Sequence, residues 1–144
     1  MALSYVGPHE GVATVDTTRA LARKYVDALS AKDFATAGAL FTDDAVWHQP
    51  GNNRLSGTDH DRTEVDQVID ATTIINEGTF ELAVTGAPMV NGTMVAIPVH
   101  FSAQRDGTKL AQGGIDVLRI EGDRIVEVWL FSTAQDAEDA FWGH

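Results

Sequence analysis

Residues 23–57 read RKYVDALSAKDFATAGALFTDDAVWHQPGNNRLSG, and the order of elements within them decides the fold. The stretch predicts the end of one helix, a short second helix, and a strand that stops at Pro50-Gly51. Tyr25, Leu29, Phe34, Leu40 and Phe41 supply the apolar face of the helical part. Trp47 and Gln49 follow two residues apart, which places them on one face of the strand. Helices laid against a curved sheet, with polar groups turned into the space between, are the makings of a pocket.

Working outward, Asp33 is placed to cap the second helix, 34–41, and Asp43-Asp44 reads as a solvated turn into the strand 45–49. Pro50-Gly51-Asn52-Asn53 is loop chemistry, closed by Gly57. Upstream, Gly7-Pro8 and Gly11 mark residues 1–13 as a flexible arm. Thr14 or Asp16 then caps a first helix carrying Val15, Leu21, Tyr25 and Leu29. Downstream, Asp61 and Glu64 make a capping box, and Val65, Val68, Ile69 and Thr72 form one helix face that Asn76-Glu77-Gly78 ends. Four strand-like runs follow, 79–85, 94–104, 109–120 and 124–132. They are separated by Asn91-Gly92, Asp106-Gly107 and Glu121-Gly122-Asp123, residues suited to hairpins. A last helix, 134–142, carries Phe141 and Trp142. The order predicts an α+β fold: helices on one side of a bent, mainly antiparallel sheet, in a single domain over 14–144.

The 144-residue chain has 10 basic and 21 acidic residues, a formal net charge of −11. A nucleic-acid partner needs a basic footprint to neutralise phosphates, and an anionic membrane surface needs the same. Both are excluded as partners. With 44% hydrophobic residues and no cysteine, the composition is that of an ordinary globular domain without disulfides or thiolate metal sites. The expected location is the cytoplasm, since 1–11 lacks a basic start followed by a long apolar segment. The five histidines show no i, i+4 pair, so no metal is expected. No glycine-rich phosphate loop and no nucleophile elbow is present. Gly113-Gly114, inside a strand pattern, marks a bend or bulge.

At residues 39–51 (ALFTDDAVWHQPG), 118–131 (LRIEGDRIVEVWLF) and 139–142 (DAFW) the sequence resembles the SnoaL-like branch of the nuclear-transport-factor-2-like superfamily. The resemblance covers nearly everything after residue 14. It implies a cone-shaped α+β barrel, a curved sheet wrapped around helices with an internal pocket. The fold hosts ketosteroid isomerases, polyketide cyclases, epoxide hydrolases and non-catalytic members, so activity has to be argued from the site. Compared with ketosteroid isomerases, Tyr25 falls where that family keeps an oxyanion-binding tyrosine, and Asp116 where it keeps a protonated aspartic acid. The family's proton-shuttling aspartate falls on Gln49, and an amide cannot act as a carboxylate base. SnoaL-type cyclases have a histidine at the Asp116 position and an aspartate at the Leu130 position. Limonene-epoxide hydrolases also have an aspartate at Leu130. Neither residue is kept.

Strand alternation turns Leu118 and Ile120 to the same side as Asp116, and, with the resemblance, points Val99, Phe101, Ala103, Val128, Leu130 and Ser132 inward. The candidate catalytic residues are therefore Asp116, Tyr25 and Gln49. Trp47, Val99, Phe101, Leu118, Val128, Leu130 and Ser132 are the candidate substrate contacts. The bland alternatives are a solvated edge aspartate, a core tyrosine with a satisfied hydroxyl, and a glutamine bonded to its own loop. His48 and His100 fall out of phase with the pocket. Trp129, Phe131, Ile125, Val117 and Ile115 share the outer face, where a second copy of the chain is the simplest cover, as in the resembling family. The expected function is a cofactor-independent cyclase or isomerase for an apolar, polyketide-like small molecule in natural-product biosynthesis, including a cycloaddition-type closure. A non-catalytic hydrophobic-ligand-binding module and an epoxide hydrolase are the alternatives.

Overall fold

The computed structural model describes residues 8–143, with side chains from Thr14 onward. Four helices, α1 (Pro8–Ser30), α2 (Phe34–Gly38), α3 (Asp61–Asn76) and α4 (Gln135–Trp142), pack with seven strands. These are β1 (Phe41–Gln49), β2 (Gly57–His60), β3 (Glu81–Val84), β4 (Met89–Asn91), β5 (Met94–Arg105), β6 (Thr108–Glu121) and β7 (Arg124–Ser132). They form one curved, unclosed sheet in the order β2-β1-β7-β6-β5-β3, with β4 also on β5. All pairings are antiparallel except β1 with β7, which run parallel and join positions as far apart as Phe41 and Ile125.

The first helix begins earlier than its sequence suggests. It is helical from Pro8, so Thr14 and Asp16 lie inside it rather than at its cap, and residues 8–13 are helical. Proline fits the first helical position because the N–H it lacks has no partner there. Residues 1–7 of the expected arm lie outside the described residues. Further along, Thr18, Leu21, Ala22, Tyr25, Val26 and Ala28 repeat at three- and four-residue steps and are buried. Lys32, at φ 57°, ends the helix: its N–H donates to the Leu29 carbonyl and that of Asp33 to Ala28, the paired bonds of a Schellman cap.

Asp33 caps α2 as expected, accepting from the Thr36 N–H at 3.2 Å. The helix stops at Gly38, however, and β1 begins at Phe41. Asp43 and Asp44 belong to that strand rather than to a turn. Between Phe41 and Val46 the pairing advances five residues on β1 against two on β7, from Ile125 to Glu127. The extra residues bulge outward and carry the two carboxylates into water. At α3, Asp61 accepts from the Glu64 N–H at 3.0 Å, but Glu64 reaches back to the His60 N–H, also at 3.0 Å, one residue before Asp61, so the two bonds do not close the reciprocal box expected between Asp61 and Glu64.

The inner sheet face and the helices bury one main core, in which Ile97, Leu118, Ile120, Ile125 and Val128 are at most 1% exposed. Ile125 was expected on the outer face. A second bulge corrects this: Arg119 pairs with Glu127 but Ile120 with Ile125, so Val126 is an extra residue and the alternation slips by one. At Gly113-Gly114 no such shift occurs on either neighbouring strand. Glycine is needed there for a different reason, since a Cβ on Gly114 would stand 2.4 Å from the Phe131 carbonyl oxygen. Among the described residues no helix is long and apolar enough to cross a membrane.

Candidate functional site

The helices and the inner sheet face enclose a cavity of about 120 Å³. Tyr25 and Leu29 of α1, Phe34 of α2, and Ile69, Thr72, Thr73 and Asn76 of α3 form one wall. Trp47, Gln49, Leu82, Phe101, Asp116, Leu130, Phe131 and Ser132 line the opposite side from the sheet, Phe80 precedes β3, and Glu138 and Trp142 enter from α4.

Of the residues expected here, Tyr25, Gln49, Asp116, Trp47, Phe101, Leu130 and Ser132 are brought together on the wall. Val99, Leu118 and Val128 are not on it. They face inward as alternation requires, but are sealed in the packed core at 2%, 0% and 0% exposure. His48 and His100 stay outside. The His48 ring stacks on Trp129, with centroids 5.3 Å apart, and meets Glu127 at 2.6 Å on the outer face, while His100 is exposed.

The polar groups are fixed in specific ways. The Trp47 indole N–H donates to Gln49 Oε1 at 2.8 Å. An indole nitrogen can only donate, so it must meet the amide oxygen, and the Gln49 NH₂ is left as the group available to a guest. Tyr25 is held edge-on against Phe41, with centroids 5.7 Å apart. Burial, and secondarily the charge of Asp116, push its phenol well above the ordinary range, so it stays a neutral donor. Asp116 sits on β6 between Ile97 and Leu130 of the neighbouring strands, both apolar. Burial and then the negative charge of Glu138 raise its carboxyl to about 7, with no hydrogen bond to offset them.

Glu138 is the functional candidate that the sequence did not single out. It is 5% exposed, and both carboxylate oxygens are engaged: Oε2 by the Ser132 hydroxyl and Oε1 by the Trp142 indole N–H at 3.2 Å. Burial pushes its carboxyl up, the Ser132 and Trp142 bonds pull it back, and Asp139 adds to the rise. Within helix α4 it stands among Asp136 and Asp139, and an acidic run ordinarily reads as a solvated face. The available signal was spacing: Glu138 lies three and four residues before the apolar pair Phe141-Trp142, on the same helix face. Asn76 is likewise unforeseen as a wall residue, 1% exposed with its side-chain oxygen unpartnered.

The helix is fastened over the cavity. Asp139 Oδ1 accepts from the Asn52 N–H at 3.0 Å, from Asn53 Nδ2 at 2.8 Å and from Gln135 Nε2 at 3.0 Å. The Trp142 carbonyl accepts from Arg54 Nε at 2.8 Å and from Arg105 Nη1 at 3.1 Å. Gly51, at φ 85°, leaves no room for a side chain, because a Cβ would fall 2.1 Å from Asp139 Oδ1. Among the described residues, no group of three His, Cys, Asp or Glu side chains is placed to hold a metal ion.

A family model for a SnoaL-like domain matches residues 22–128. Among solved structures, a protein of unknown function with a cystatin-like fold from Xanthomonas campestris is 42% identical, with a TM-score of 0.84 over 88% of this chain and 98% of that one. A candidate polyketide cyclase from the same organism is similar at 14% identity and TM-score 0.69, over 90% and 99% of the two chains. A candidate ketosteroid isomerase from Kribbella flavida is similar at 22% identity and TM-score 0.63, over 82% and 78%. At those two identities the likeness is one of fold. Among curated proteins none matches. The matched span covers most of the chain, including β1, α3 and the strands that carry Asp116 and Val128, so the chain belongs to the SnoaL-like family.

Proposed function

We propose that this domain is a cofactor-independent cyclase or isomerase acting on an apolar, carbonyl-bearing small molecule of polyketide type. One observation carries the reading: Tyr25, Gln49 and Asp116 bring three hydrogen-bond donors into an otherwise largely apolar cavity. Below about pH 7 the Asp116 carboxyl is itself a donor. Donors held in place before reaction, in a site poor in water, stabilise negative charge developing on a substrate oxygen. The apolar walls hold a flexible chain folded on itself, which removes part of the entropic barrier to ring closure. The fold likeness to a candidate polyketide cyclase and a candidate ketosteroid isomerase supports this by analogy.

The test is mass spectrometry of incubations with linear polyene and polyketide-like ketones, comparing wild type with Tyr25→Phe and Asp116→Asn. A product of unchanged mass and altered retention, weakened by either substitution, is the expected result. Retained ligand with no product from any compound would refute catalysis.

The outer face enters the same proposal. Ile115 and Phe131 are cross-strand partners, 39% and 57% exposed, beside half-buried Pro98 and Trp129. We assign this patch to a second copy of the chain, and light scattering that finds monomer at all concentrations would refute it.

A further inference from the structure

We propose that Glu138 is the general base of this site and Asp116 its partner acid, so that the cavity enolises a ketone held between them. This rests on the carbonyl-substrate reading above and adds a proton acceptor, which Tyr25, Gln49 and a protonated Asp116 do not supply.

The placement comes from the sheet. Asp116 pairs with Leu130, and Ser132 lies two residues further along β7 on the same inner face. Diagonal neighbours of this kind have backbones about 7–8 Å apart. Ser132 anchors Glu138, so its carboxylate lies beside that diagonal position, where the two acids can reach different atoms of one small molecule.

Their surroundings divide the roles. Glu138 is held by two donors, Ser132 and Trp142, which favour the charged form, yet a carboxylate has about four acceptor directions. Directions therefore remain for a substrate proton. Asp116 has apolar row neighbours and Glu138 beside it, so the proton of the pair resides on Asp116. Of the other titratable groups, Asp139 from α4 acts on Glu138, and Tyr25 from α1 feels the charge of Asp116.

The step balances without a co-reactant. A proton leaves the carbon next to the carbonyl for a Glu138 oxygen, and the C–H electron pair becomes the carbon–carbon double bond. The carbonyl π pair moves to oxygen, which takes the proton of Asp116. When the Glu138 carboxyl has traded its proton for a solvent deuteron, return of that deuteron to the same carbon, with the enol proton going back to Asp116, gives exchange. Return to a more distant carbon of an unsaturated ketone gives isomerisation, and attack of the enol carbon on a second carbonyl, whose oxygen takes the Glu138 proton while Asp116 recovers the enol proton, gives ring closure.

The probe is 2-decalone in D₂O, with α-deuterium counted by mass spectrometry, alongside ¹³C NMR titration of side-chain carboxyls. Wild type should exchange faster than buffer. Glu138→Gln, isosteric and still able to accept a hydrogen bond, should lose about 100-fold or more of the excess rate. Asp116→Asn keeps an N–H donor and should lose less. Ser132→Ala, which removes one anchor of the base, should move the rising limb of the pH profile to higher pH. In the NMR titration Glu138 should ionise before Asp116, and Glu138→Gln should lower the Asp116 midpoint while the spectrum confirms folding. Exchange that survives in Glu138→Gln but vanishes in Asp116→Asn overturns the assignment of the base and leaves the ketone reading standing, as does Asp116 ionising first. No exchange by wild type overturns both.

Discussion

Replacing Asp116 by asparagine should change how stability depends on pH, because its carboxyl is buried beside Glu138. Burial and the Glu138 charge raise the Asp116 carboxyl from an ordinary 3.8 to about 7. The folded state therefore binds more protons than the unfolded state between those values, and stability is lost as pH rises through the window. At 1.36 kcal/mol for each pH unit, the ionised side chain costs the fold about 4 kcal/mol above pH 8, of which about 3 kcal/mol accrues between pH 4.5 and pH 9. Asparagine has nearly the same shape and no charge to desolvate. Urea melts of both proteins across that range should give curves that draw together toward the acid end. The difference between them should grow by about 3 kcal/mol toward the alkaline end, in favour of the variant. Since about 1 kcal/mol moves the midpoint of a domain this size by roughly 3–4 °C, the difference between thermal midpoints should grow by about 10 °C over the same range. Titrating groups that do not interact with Asp116 are common to both proteins and cancel in the difference, and Glu138 and Tyr25, which do, belong to the same effect. Parallel curves would refute the argument, because they would mean that Asp116 ionises as easily in the cavity as in water.

Other substitutions test the architecture. Gly114→Ala should destabilise by about 2–3 kcal/mol, because its methyl group meets the Phe131 carbonyl, and an unchanged thermal midpoint would contradict that close approach. Asp139→Ala should cost about 2 kcal/mol by releasing three donors, and should speed limited proteolysis in the 50–56 loop, with cleavage sites read by mass spectrometry. Ile125→Ala should cost about 2–5 kcal/mol while Ile74→Ala, on the exposed side of α3, stays within about 0.5 kcal/mol, as measured by urea melts. Equal effects would mean that the Val126 bulge is misplaced.

Much of this fold is legible in the sequence because its signals are local. Asp33 caps within three residues, Asp61 and Glu64 each accept from a backbone N–H at the start of α3, and Asp106-Gly107 takes positive φ at both turn positions, the primed-turn geometry that its residue types favour. What escapes is structure imposed by neighbours. Gly57–His60 is too polar to read as a strand and becomes β2 by pairing with β1, and the three residues of β4, just after Pro88, owe their state to β5. Phase errors have the same origin: one extra residue at Val126 turns Ile125 inward, and nothing local announces it. For the site, period-two alternation orients Asp116, Leu130 and Ser132 but does not measure depth. Val99, Leu118 and Val128 share the inward direction and end up beneath the cavity floor. Glu138 depends on how α4 docks, and that docking rests on residues distant along the chain, among them Asp139, Arg54, Arg105 and the core partners of Phe141 and Trp142.

The parallel pairing of β1 with β7 also sets an order in time. Trp47 and Phe41 have no neighbouring β7 until Ile125 and Val128 have been made, some eighty residues later. At a synthesis rate of about 5–20 residues per second, that interval lasts roughly 4–16 seconds. During it, one side of β1 offers unpaired backbone groups and two large aromatic rings to the surroundings. The hydrophilic β2 is available much sooner, through antiparallel pairing with Val46–Gln49 on the opposite edge. A nascent chain therefore occupies one edge of β1 within seconds and carries the other open, so a ribosome-bound fragment ending before residue 124 should be the form most in need of a chaperone.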